Sequence, residues 1–134
     1  MPNANTALIE RIFGKVAGGF APVDARLYLE SMTDDVRYTI LGTTPLSGTF
    51  RGRDEIVSGI FRPLMAGLDG AIELAPDTLF GEGDMVAMQA HGRARTKKGA
   101  RYDNTYCFVF RFRDARIAEI AEYLDTELVR SALV

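Results

Sequence analysis

The second half of the chain leaves the fold least freedom. Four strand-like segments, roughly 71–80, 84–96, 101–113 and 116–125, follow one another with only short joints between them. The joints read GEGD, KKG and RDAR and carry the Gly and Asp residues that tight hairpins need. Strands joined this closely pair with their sequence neighbours, so this half predicts an antiparallel meander. A sheet of that kind must bury one face, and the first half has to supply the cover.

The first half offers helices. NTALIERIFGKVAGG (5–19) sets Leu8, Ile9, Ile12, Phe13 and Val16 on one face, with Asn5 or Thr6 as N-cap and Gly18 and Gly19 as the stop. PVDARLYLESM (22–32) has Pro22 near a first turn and Val23, Leu27, Tyr28 and Met32 at helical spacing. VRYTIL (36–41) is short and rich in β-formers, hence a strand. Gly42, Pro45, Gly48 and Gly52 punctuate a loop at the mouth of the expected cavity. RDEIVSGIFRPLMAGL (53–68) reads as a third helix, kinked or interrupted at Pro63, and TELVRSAL (126–133) as a short last one. This order predicts one α+β domain over 1–134: a curved, mixed but mostly antiparallel sheet wrapped cone-like around three N-terminal helices, enclosing a pocket.

Charge and cysteine usage narrow the function classes. The 16 basic residues nearly balance the 18 acidic ones, for a net charge of -2, which gives no footprint for nucleic acid. Arg93, Arg95, Lys97, Lys98 and Arg101 cluster around Gly99 and read as a solvated hairpin. Cys107 is the only cysteine and His91 the only histidine, so a multi-cysteine zinc site and a His–His metal motif are excluded. The N-terminus lacks a basic region followed by an apolar stretch, and no apolar run approaches ~18 residues. The expectation is a soluble, cytoplasmic protein with no membrane partner.

Candidate site residues come from strand parity. In YDNTYCFVFRF (102–112), Tyr102, Asn104, Tyr106, Phe108 and Phe110 share one face, which suits an apolar pocket with a few polar contacts. Asn104, Tyr106 and Phe108 are the expected ligand contacts there, joined by Tyr38 and Tyr123. Asp125 has two readings: it caps the last helix, or it sits in the pocket as an acid/base. Thr126 could cap equally well. His91 would be the natural proton partner if it faced Asp125, and is otherwise structural. Cys107, between Tyr106 and Phe108, reads as inert packing.

Two stretches carry a family likeness. DDVRYTILGTTPLSGTFRGRDEI (34–56), followed by YDNTYCFVFRFRDARIAEIAEYLDTELV (102–129), resembles the SnoaL-like branch of the nuclear-transport-factor-2-like superfamily. That superfamily includes ketosteroid isomerase, limonene-epoxide hydrolase, scytalone dehydratase and SnoaL-type polyketide cyclases. The positions matching the ketosteroid isomerase machinery are Ile12, about Ile40, and Phe108, all apolar, so steroid isomerisation is not expected. Scytalone dehydratase relies on more than one histidine, and this chain has one. The resemblance to limonene-epoxide hydrolase and SnoaL-type cyclases implies a role for Asp125, and for Arg93 as the matching arginine.

The resulting expectation is a SnoaL-type pocket for a small hydrophobic, oxygenated molecule. As an enzyme it would be a metal-free, cofactor-free lyase, isomerase or hydrolase. Asp125 would be the acid/base, and His91 or Arg93 would stabilise negative charge. A non-catalytic binding or dimerisation module on the same fold is the rival reading. Apolar residues on both faces of the last strands further predict a homodimer packed through the outer face of the sheet.

Overall fold

The structure is a computed structural model, described here over residues 3–134. Seven strands form one sheet in the order β1-β4-β5-β6-β7-β2-β3. The long ones are β2 (Met32–Ile40), β4 (Glu73–Glu82), β5 (Met85–Arg93), β6 (Thr105–Arg113) and β7 (Arg116–Leu124), with β1 (Ala21–Pro22) and β3 (Gly48–Arg51) at the edges. The expected meander is β4 to β7, antiparallel throughout. β2 then lies parallel to β7, which makes the sheet mixed. The architecture is the cone-shaped α+β fold, its sheet open and its helices drawn mainly from the first half.

Several boundaries differ from the sequence reading, for local reasons. Helix α1 (Ala4–Phe13) is capped by Asn3, not Asn5 or Thr6. The Asn3 side chain accepts the Thr6 N–H at 2.9 Å, and the Thr6 hydroxyl accepts the Asn3 N–H in return. It stops at Gly14, before Gly18 and Gly19, and Val16 is exposed. Helix α2 (Ala25–Glu30) starts only after the Asp24 cap, so Pro22 is left to β1 and Met32 to β2. The loop expected from Gly42 to Gly52 contains β3, paired antiparallel with β2.

The third helix is three pieces. α3 (Gly52–Ile56) runs into a π-helical turn (Val57–Phe61), and α4 (Arg62–Gly67) follows with Pro63 in its first turn. The interruption expected at Pro63 thus appears as a widened turn just before it. Gly59 sits in that turn, and a Cβ there would strike the Phe50 ring on β3. The close approach places Ile60 and Phe61 over the sheet.

The core is the concave face of β4–β7 and β2 under these helices. Phe13 of α1 meets Phe108 at 5.3 Å and Phe110 at 5.8 Å between ring centroids, and Tyr28 of α2 stands edge-on to Phe13 at 4.9 Å. A smaller cluster of Leu68, Ala94, Tyr102 and Val129 lies under helix α5 (Thr126–Leu133). Among the described residues no helix is long and apolar enough to cross a membrane.

Candidate functional site

The helices do not fill the cone. A cavity of about 610 Å³ remains between the concave sheet, the π-helical turn with α4, and α5. Its size lies in the range of small-molecule sites. The wall is largely aromatic and aliphatic: Phe13, Phe61 and Phe108 on one side, Leu64, Leu68 and Val129 on another. Polar groups are few, so each is informative.

Glu122 is the buried charge in that wall. Alternation along β7 turns Ile120, Glu122 and Leu124 inward, where Glu122 is paired across the sheet with Phe108. Its Oε1 accepts the Tyr38 hydroxyl at 2.5 Å. Among the described residues nothing donates to Oε2, so one carboxyl oxygen is left for a ligand. Burial pushes the carboxyl up from 4.5 to about 7, and the Tyr38 bond pulls the other way. At neutral pH both protonation states are populated.

Three further phenols, Tyr28, Tyr102 and Tyr106, line the cavity beside this pair. The Tyr28 hydroxyl is buried with no hydrogen-bond partner among the described residues. It lies close to the Tyr38 hydroxyl and near enough to Glu122 to feel its charge, yet makes no bond of proper geometry with either. Burial raises the ionisation of Tyr28, Tyr38 and Tyr106 well above the usual phenol range, so all three stay protonated donors. Gly92 makes room for Tyr106: a Cβ there would meet its ring at 2.7 Å.

Asn104 does different work from the contact expected of it. It is 1% exposed, and its amide donates to the Tyr102 hydroxyl and the Asp125 carbonyl, both at 3.1 Å. Its oxygen accepts the N–H groups of Thr105 (2.7 Å) and Asp125 (2.9 Å). Every hydrogen-bonding group of the amide is committed to protein. Asn104 fastens the start of α5, and so the Val129 wall, to β6.

Three expected ligand contacts, Tyr38, Tyr106 and Phe108, do line the cavity. The residues expected to do chemistry lie elsewhere. Asp125 is exposed, and its carboxylate accepts the Leu128 N–H at 3.2 Å as the N-cap of α5, so of its two readings the geometry shows the cap. His91 points outward and pairs with Asp77, not with Asp125. Arg93 pairs with Glu73 at 2.8 Å and lies over the Phe20 ring, also outside. Tyr123 is 48% exposed on the same outer face. Asp125, His91 and Tyr123 do come together with Asp77, in a shallow depression on the convex side of the sheet.

The sequence reading missed Glu122. The available signal was a lone carboxylate at the parity of Ile120 and Leu124. A register shift between Arg111 and Phe112 hides it, because Ile117 and Ala118 are both buried at the start of β7. A period-2 count begun at Ile117 therefore lands on the wrong face beyond the bulge. Ile120, which the same count turns outward, is for that reason a core residue.

Comparison with known proteins gives a consistent result. The sequence profile of the SnoaL-like domain family matches residues 16–120. That span stops short of Glu122 and assigns nothing to it. Among solved structures, a nuclear-transport-factor-2-like protein from Burkholderia thailandensis is 26% identical, with 83% of this chain and 85% of that one covered and a TM-score of 0.73. A protein classed as a SnoaL-like polyketide cyclase, from a Jannaschia species, is 19% identical, with 97% and 91% covered and a TM-score of 0.76. TerC, co-crystallised with polyporic acid, is 20% identical, with 97% and 92% covered and a TM-score of 0.70. No curated protein sequence matches the chain.

Proposed function

The chain belongs to the SnoaL-like domain family, and from that premise we propose that it is a proton-transfer enzyme acting on a hydrophobic, oxygenated ring compound, with Glu122 as its acid/base. The observation that carries this reading is one buried carboxyl with a pKa of about 7, opening on a largely apolar cavity. In the ionised state Oε2 takes a proton from a carbon beside a carbonyl, and the C–H electron pair moves into the C–C bond while the carbonyl π pair goes to oxygen. A cavity phenol, Tyr28 or Tyr106, donates a hydrogen bond to that oxygen. The protonated carboxyl then returns its proton at another carbon of a conjugated enolate, giving isomerisation, or to a β-oxygen that leaves as the carbonyl re-forms and a C=C bond appears, giving dehydration. In ring closure the enolate carbon bonds a second carbonyl carbon, whose π pair goes to its oxygen and takes the proton. Tyr38 holds the carboxyl in one rotamer through both halves.

The cyclase-like relative and the polyporic acid complex of TerC support an aromatic, oxygenated ligand, and the ring-lined wall suits one. The rival reading, a binding module without chemistry, is disfavoured by the same cluster of titratable groups. An enolisable ring ketone such as β-tetralone, incubated in D₂O, separates the two. Under this proposal the wild-type protein accelerates deuterium uptake at the α-carbon, and Glu122→Gln loses ~10²–10⁴ of that rate while still binding the ketone. Binding with equal exchange in both proteins would leave the module reading standing.

A homodimer is part of the proposal. On the convex face Cys107, Val109 and Ala121 are half-buried, Phe80 is 63% exposed, and all lie within one cross-strand patch. A second copy of this face is the cover that fits, because a two-fold axis sets apolar centre on apolar centre.

A further inference from the structure

The mouth of the cavity carries a charge that proton transfer at Glu122 leaves unused. Among the described residues Lys97 is the single cation in the cavity wall. Seven arginines of the described residues are paired with carboxylates, whereas Lys97 has none within ion-pair distance. Its neighbours Arg95 and Lys98 are likewise without carboxylate partners, and Arg95 instead donates to the Gly99 carbonyl at 3.3 Å. Asp69 is the one carboxylate on this rim among the described residues, and the hairpin beside it carries three cations, Arg95, Lys97 and Lys98, of which Lys97 lines the cavity.

The hairpin that presents Lys97 is anchored to the rim. The Lys97 N–H donates to the Gly67 carbonyl at 3.0 Å, and the Asp69 N–H to the Arg95 carbonyl at 2.8 Å. Within the turn, Thr96 accepts the Gly99 N–H at 2.9 Å on its carbonyl and the Ala100 N–H at 3.1 Å on its hydroxyl. The ammonium therefore hangs from a fixed backbone at the end of α4. Glu122 is buried in the wall, bonded to Tyr38 and facing Phe108 across the sheet, whereas Lys97 is exposed, one residue beyond the Thr96 that bridges to Leu68.

Resting on the cavity reading above, we infer that the ligand is an organic anion: an apolar, ring-sized body with one acidic group that pairs with Lys97 at the mouth. An ionised Glu122 repels an anion from the buried wall, and Lys97 attracts it at the exposed rim, so the two charges favour one orientation. The reacting carbon is then the end away from the acidic group.

Two fluorescent probes with the same ring body test this: anilinonaphthalene sulfonate, an anion, and its neutral parent phenylnaphthylamine. Each is titrated into the wild-type protein, Lys97→Gln and Lys97→Glu, and competition between the two establishes a shared site. The expected result is preference for the sulfonate in the wild type. Lys97→Glu should weaken the sulfonate about fivefold, the scale of an exposed ion pair, and leave the neutral probe unchanged. Raising salt from ~0.05 to ~0.5 M should shrink the difference. Equal effects of the substitution on both probes, or on neither, overturn the inference while the cavity reading stands. Failure of the wild type to bind either probe overturns both.

Discussion

At the scale of single residues, Glu122 is set by two opposed effects. Burial in an aromatic wall disfavours its charge, and the 2.5 Å bond from Tyr38 favours it. Burial wins, and the consequence for stability has a definite sign. The unfolded chain loses this proton near pH 4.5, whereas the folded protein keeps it to about pH 7. The folded state therefore binds more protons between those values, and stability falls as pH rises across that window. Below about pH 4.5 the group costs nothing, and above about pH 7 it costs ~3 kcal/mol. Glu122→Gln removes the ionisable proton, so relative to wild type it should gain up to ~3 kcal/mol between pH 4 and pH 8. Denaturant melts at the two pH values measure this, and a pH-independent difference would show that Glu122 is not held neutral by burial. Tyr38→Phe deletes the one bond to the ionised form, and so should push the Glu122 titration still higher.

At the scale of elements, α5 and the end of β6 behave as one unit through Asn104. Asn104→Ala strands the Asp125 and Thr105 N–H groups and the Tyr102 hydroxyl at a buried joint, and should cost ~2–4 kcal/mol. Faster hydrogen exchange confined to 126–133 would locate the loss. Asp125, at the same joint, serves as cap. Asp125→Asn should change stability by less than ~1 kcal/mol and leave turnover intact, whereas Asp125→Ala should cost ~1 kcal/mol. A large loss of turnover in Asp125→Asn would return that residue to the chemistry. This joint also shows what a sequence can carry. The tight turns at 83–84 and 114–115 made the meander legible, and alternation in 102–112 identified the inward row of Tyr106 and Phe108. The bulge at Ala118 shifts parity with no mark in the sequence, so Glu122 was hidden and Asp125, beside a visible cap motif, stood out in its place. The π-helical turn was equally silent, because the Gly59 requirement comes from Phe50, a neighbour in space.

At the scale of the whole molecule, the two faces of the sheet have separate tasks. The concave face holds the cavity, and the convex face holds the ion pairs Arg37–Glu119, Arg111–Asp84 and His91–Asp77 around the Val109 and Ala121 patch. A homodimer through that patch predicts about twice the 14.8 kDa chain mass by light scattering at micromolar concentration. Val109→Arg should return it to one chain mass with the cavity titration of Glu122 unchanged. A wild-type monomer under those conditions would remove the dimer and leave the cavity account untouched. That account stands or falls on the carboxyl itself. The direct measurement is a carbon-detected NMR titration of the Glu122 side-chain carboxyl, assigned by its loss in Glu122→Gln. A midpoint near pH 7 is the predicted result, and a midpoint near the ordinary value of 4.5 would contradict it.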